Sequence, residues 1–218
     1  SDIAIEYLND GQQTFFEKYE VYRLSSTKEL CRDYSETTAS KSITLFGDID
    51  YNTDLVSESR GGISFGKLKY GREEIDGIRS FVNKTFKTTI YDEKKATEKQ
   101  FRELSNKNPT ILHISSHGEY DGDDKTIDND AMENSLIALS GANTGSDDIM
   151  DDGIITAADI AKMNLRQCDM AVLSACNTGI GGKGADGIFG LQRGFKNAGV
   201  HSLLMSLKPV YDESTAKL

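Results

Sequence analysis

At 218 residues the chain is long enough for one well-buried domain or a tight pair of small ones. Its net charge of −10 argues against nucleic acid and anionic membrane as partners, and would instead draw in a basic substrate segment. No apolar run reaches the roughly 18 residues of a membrane span, and no charged-then-apolar leader marks secretion. The three cysteines, Cys31, Cys168 and Cys176, form neither a disulfide framework nor a zinc-ligand spacing, so the expected setting is a reducing cytoplasm. At 37% hydrophobic the composition is globular but lean, which implies several long polar loops.

In chain order, residues 20–24 (EVYRL) read as a short strand and 27–34 as a helix opened by Ser26 or Thr27. Residues 42–46 (SITLF) are a strand closed by Gly47-Asp48, and 50–66 a polar loop. Ile75, Ile78, Val82 and Phe86 recur at helical spacing, which predicts a helix over 71–86. Residues 88–91 make a brief strand. Thr97 followed by Gln100 is the sequence of a capping box, opening a helix that buries Phe101 and Leu104, with the charges at 92–99 on its solvated face. Pro109 stops that helix. Residues 110–115 (TILHIS) have the near-continuous apolar character of a central parallel strand, ending in Ser116-His117-Gly118. An acidic loop (119–133), a strand (134–139) and a second polar loop (140–153) follow. Thr156 and Asp159 cap a short helix carrying Ile160 and Met163.

Residues 169–174 form the strand that delivers Cys176, and the stretch 178–187 holds five glycines. The next helix has Ile188, Leu191, Phe195 and Ala198 on one face; Gly187, Gly190 and Gly194 nearby predict close packing against the sheet. Gly199 ends it, and 200–207 is a further buried strand. Strands alternating with helices predict a parallel sheet covered on both faces, and ligands on such sheets gather at the carboxyl ends of the strands.

His117 and Cys176 follow two of these strands. On adjacent parallel strands, roughly 5 Å apart, they would share a cleft. A thiol supplies a nucleophile and an imidazole a base; the N–H groups of Gly118 and Cys176 would stabilise an oxyanion. Other chemistries lack their residues. A cysteine phosphatase needs Arg where Gly182 stands. A phosphate-binding loop needs Ser or Thr where Gly184 stands. The loop after His117 has Lys125 and Thr126 at positions an EF-hand needs for ligands. His113, inside its strand, reads as a satisfied core histidine, His201 as structural, and Cys31 and Cys168 as small apolar residues.

ILHISSHG (111–118), MAVLSACNTGIGG (170–182) and GADGIFGLQRGFKNAGVHSLLMSL (184–207) resemble the histidine motif, the cysteine motif and its continuation in the CHAT group of bacterial caspase-like cysteine peptidases, relatives of caspases, separases and gingipains. LFGDIDY (45–51), KYGREEIDGI (69–78), NSLIAL (134–139) and DDGIITAADIAKMNL (151–165) fall where relatives have similar stretches, so the resemblance covers about residues 20–215. It implies an α/β fold: a caspase-like three-layer sandwich with a mostly parallel central sheet. Residues 1–41 are then a lead-in or edge segment of the same unit, and 42–218 the peptidase domain.

Carried over, His117 and Cys176 are the implied catalytic dyad and Gly118 the oxyanion contributor. Ser174, Ser206 and Asp212 are the implied substrate-pocket residues; Ser174, uncharged, signals no charge preference. Lys208 stands where relatives usually have Trp, which puts groove specificity in doubt. Relatives continue beyond 212–215, and the chain begins at Ser1, so it is expected to be a fragment, truncated at its C-terminal end. The resemblance implies an endopeptidase acting on protein substrates through a thioester, without metal or organic cofactor. It also implies an activating partner or a helical-repeat region outside this chain, self-processing in an acidic loop, and a place in bacterial signalling or defence. The alternative is a catalytically silent scaffold that docks partner proteins.

Overall fold

The structure, a computed structural model, describes residues 8–19, 41–52, 64–82, 84–120, 131–144, 151–175 and 186–205. The chain divides into two compact units, Ser1–Ser35 and Glu36–Leu218. In the first, a single turn of helix, α1 (Phe15–Lys18), is opened by a reciprocal capping box between Thr14 and Glu17. The strand and helix expected at 20–34 lie outside the described residues.

The second unit is built on a five-stranded sheet in the order β2-β1-β3-β7-β8, from β1 (Ser42–Ile49), β2 (Lys87–Glu93), β3 (Ile111–Ser116), β7 (Met170–Ala175) and β8 (Ser202–Met205). Every pairing in it is parallel, so the expected α/β architecture is present. Alternation along β1 explains why both faces are apolar. Ile43 and Leu45 join Ile75 of α2 (Gly71–Val82) on one side, and Phe46 joins the larger core on the other. That larger core gathers Phe101 of α3 (Glu98–Arg102), Leu104 of α4 (Leu104–Lys107), Ile160 of α6 (Ala157–Ala161) and Leu191 and Phe195 of α7 (Asp186–Ala198). Leaving β1, the chain crosses on the α2 face; leaving β3, it crosses on the other. The order therefore reverses between β1 and β3, the place where open α/β sheets form a crevice.

A second sheet was not foreseen. Its three strands, in the order β4-β5-β6, are antiparallel: β4 (Gly118–Tyr120), β5 (Ser135–Ala138) and β6 (Ile154–Thr156). The stretch expected as an acidic loop thus begins as a strand, and its end is a helical turn, α5 (Ala131–Asn134). The strand expected as buried at 200–207 is β8, an edge strand with Leu204 60% exposed. Four other expectations need correcting. The α2 helix ends at Val82, because the chain must turn into β2; Phe86 still packs, as Ile78 and Val82 do, against the cluster of Ile43, Leu45 and Ile75. Thr97 caps α3 alone, since the Gln100 side-chain Oε1 accepts from Lys107 Nζ instead of turning back. Glu98 is fully buried, its Oε1 taking Arg102 Nε at 2.9 Å, rather than solvated. Gly190 and Gly194 make room for α5, the start of β5 and α6, not for the sheet. A Cβ on Gly190 would lie 2.1 Å from both the Ala131 carbonyl and Ser135 Oγ, and one on Gly194 2.6 Å from the Ala157 carbonyl.

Candidate functional site

His117 is the residue at which the chain leaves the parallel sheet and enters the antiparallel one, between β3 and β4. Its seat comes from the segments that flank the loop after β1. The Tyr51 and Phe65 rings lie 5.2 and 5.6 Å from the imidazole, centroid to centroid, and 5.9 Å from each other. Both are buried, and the Tyr51 hydroxyl reaches Ser116 Oγ at 3.2 Å. The Gly66 carbonyl lies 2.6 Å from His117 Nε2. A carbonyl only accepts, so Nε2 carries the proton and Nδ1 is the basic nitrogen of the neutral ring.

Gly118 follows in β4. Ala138 N–H donates to the His117 carbonyl at 2.9 Å, which makes Gly118 and Ile137 a non-hydrogen-bonded pair of the β4–β5 ladder. The ladder therefore leaves the Gly118 N–H pointing away from β5. On the parallel sheet, Ser116 pairs with Ala175, the last residue of β7. Cys176 comes next in the sequence and lies outside the described residues, as do Ser206 and Asp212.

Beneath these strand ends, on the α2 side, sits a buried polar cluster. Glu74 Oε1 lies 2.8 Å from His113 Nε2, and Ser115 Oγ donates to Glu74 Oε2 at 2.7 Å. Ser174, on β7, is buried on the same side of the sheet. Burial works to raise the Glu74 pKa, but the His113 and Ser115 hydrogen bonds, with Ser174 adding to them, outweigh it and hold it below the ordinary value. His113 is thus a satisfied core histidine. The cluster ties α2 to β3 and β7, the two strands that lead to His117 and Cys176.

A protein-family model, the CHAT domain, matches residues 1–218. The chain belongs to the CHAT domain family. It therefore has a caspase-like, peptidase-type scaffold. Comparison with curated proteins returns no match. Within this CHAT domain no three His, Cys, Asp or Glu side chains converge as a metal site would need, among the described residues. Nor is any described helix long and apolar enough to cross a membrane.

The other singled-out residues fall away from the crevice. His201 precedes β8, its Nδ1 3.4 Å from Asp169 Oδ1, at the opposite end of the sheet. Cys168 is fully buried, and burial pushes its thiol up to about 12. Sequence reasoning missed Tyr51, Phe65 and Gly66, which seat the imidazole, and Glu74, the carboxylate bonded to His113 and Ser115. The signal for Glu74 was weak but present: an acid four residues before Ile78 on the apolar face of α2.

Proposed function

We propose that this CHAT domain is a cysteine endopeptidase with Cys176 as nucleophile, His117 as base and Gly118 as oxyanion donor. His117 Nδ1 takes the thiol proton, and the thiolate attacks the scissile carbonyl. The new C–S bond drives the carbonyl electron pair onto oxygen, where the N–H groups of Gly118 and Cys176 receive it. As the pair returns, the C–N bond breaks and the imidazolium gives its proton to the leaving amine. Water, deprotonated by the same nitrogen, then cleaves the thioester and restores the thiol. Ser174, Ser206 and Asp212 line the substrate pocket in this reading, and an activating partner lies outside the chain.

The observation that carries the reading is the seat of His117. Its Nε2 is committed to a carbonyl, which leaves Nδ1 for the base's role, and it stands one residue beyond the pair Ser116–Ala175, with Cys176 next in sequence. The test is a peptide-library cleavage profile of the wild type against Cys176→Ala and His117→Ala, with labelling by a peptide-like thiol-reactive inhibitor. Cleavage lost in both variants and labelling at Cys176 are expected. Labelling of Cys31 or Cys168 in preference to Cys176 would sink the reading and leave the docking scaffold.

A further inference from the structure

We propose that Asn143 is a positioning residue for His117, fixing the tautomer and direction of the imidazole by clamping together the two segments that seat it. The seat is made by residues 51–52 and 64–66, which are not neighbours in sequence. Asn143 bonds to both. Its Oδ1 accepts from the Phe65 N–H at 2.7 Å, and its Nδ2 donates to the Phe65 carbonyl at 2.9 Å and to Asn52 Oδ1 at 3.1 Å. Its own N–H donates to the Tyr51 carbonyl at 2.9 Å. The side-chain amide thus treats Phe65 as a strand neighbour would, and the next residue, Gly66, offers its carbonyl to His117.

Few side chains can replace it. Asp would keep the acceptor but face the Phe65 carbonyl and Asn52 Oδ1 with no proton to give. Ala would remove all three side-chain bonds. Gln would overreach by a methylene. The clamp is presented stiffly, because Asn143 stands on a turn closed by Ala142 N–H to Leu139 O and Thr144 N–H to Gly141 O, at 3.1 and 2.9 Å. That turn packs on Gly153, whose Cβ position is 2.3 Å from Ala142 N. A loosened clamp would let Phe65-Gly66 swing, freeing Nε2 from its acceptor so that the proton can sit on either nitrogen.

The inference rests on the peptidase reading for the imidazole's task, but not for its seating, and the two are tested apart. The first readout is the ¹⁵N spectrum of the His117 ring in wild type, Asn143→Ala and Asn143→Asp. The wild type should hold one tautomer, with the proton on Nε2; Asn143→Ala and Asn143→Asp should shift both ring nitrogens toward an averaged value. The second readout is the alkylation rate of Cys176 by iodoacetamide across pH, followed by mass spectrometry. It should fall on the order of 10²-fold in Asn143→Ala near neutrality, as for a misplaced catalytic group. Should Asn143→Ala not fold, Asn143→Asp, which keeps one bond to Phe65, carries both readouts. A folded Asn143 variant with an unchanged His117 tautomer overturns the proposal. A changed tautomer with Cys176 alkylation independent of His117 supports it while removing the peptidase reading.

Discussion

Replacing Glu74 by Ala tests whether the buried cluster is what fixes β3 and β7 to α2. The carboxylate is 5% exposed and accepts from His113 and Ser115. Removing it leaves two buried polar groups without their acceptor, each worth roughly 1–3 kcal/mol if nothing replaces it. Repacking and water entry reduce the total, so the expected loss is about 3–5 kcal/mol, the range for breaking a buried pair. Against a domain stability of about 5–15 kcal/mol, that is a large fraction. Urea denaturation at neutral pH measures it. The Glu74→Gln variant adds a pH signature. The folded pKa of Glu74 lies below its ordinary value of 4.5, so its contribution is fully present above that pH and is lost as pH falls through the folded value. Glu74→Gln should therefore show a shallower acid limb than the wild type. A Glu74→Ala midpoint within experimental error of wild type, or an unchanged acid limb in Glu74→Gln, would refute the reasoning.

Two glycine substitutions should act in opposite directions. Gly77→Ala, in the interior of α2 with nothing within 4 Å of the added carbon, should stabilise by about 0.5–1 kcal/mol, whereas Gly190→Ala should lower the Tm sharply by colliding with Ala131 and Ser135; thermal melts decide both. Gly153→Ala adds strain at φ +76 to a clash with Ala142, so it should cost more than about 1 kcal/mol and also disturb the His117 ring nitrogens through Asn143. Glu98 behaves oppositely to Glu74. Burial, outweighing Arg102, holds its pKa above 4.5, and its Oε2 is buried with no hydrogen bond among the described residues. The folded state then binds more protons between the two values, and stability falls as pH rises through that window. Glu98→Gln should abolish that fall in a pH series of urea melts.

What the sequence made legible were the elements whose signal is local. The apolar runs at 42–46, 110–115 and 169–174 became β1, β3 and β7 because continuous burial in a parallel sheet writes itself into every position. Strand β4 left no such trace: Gly-Glu-Tyr at the head of an acidic stretch is too short to show a period. The glycines of α7 announced a close approach but not its true partner: the expected neighbour was the sheet, whereas α5, the start of β5 and α6 are what the tertiary fold brings up. The seat of His117 was illegible for a different reason. Its acceptor is a backbone carbonyl 51 residues away, and the amide that holds that backbone is 78 residues from Phe65. Neither depends on a residue type that motif reasoning would single out. Cys176, which the motif did single out, lies outside the described residues.

Two tethers compete for credit in holding the Gly66 carbonyl, and ionic strength separates them. On one side is Asn143 at Phe65. On the other, Lys67 Nζ reaches Asp48 Oδ1 at 2.9 Å, while Arg72 Nη2 holds Asp48 Oδ2 at 2.7 Å. Asp48, in the left-handed region at φ 52, marks the register shift where β1 ends. The Lys67 side chain is 56% exposed, so its ion pair is worth about 0.2–1 kcal/mol and weakens with salt. The amide bonds of Asn143 are uncharged, and salt leaves them alone. Their geometry is also paired on one residue, which restrains direction as well as distance. If Asn143 is the dominant tether, raising salt from low to about 1 M, where the screening length is about 3 Å, should leave the His117 ring nitrogens unmoved. Lys67→Ala should do the same. A tautomer that changes with salt, or with Lys67→Ala, would transfer the positioning role to the Asp48 bridge.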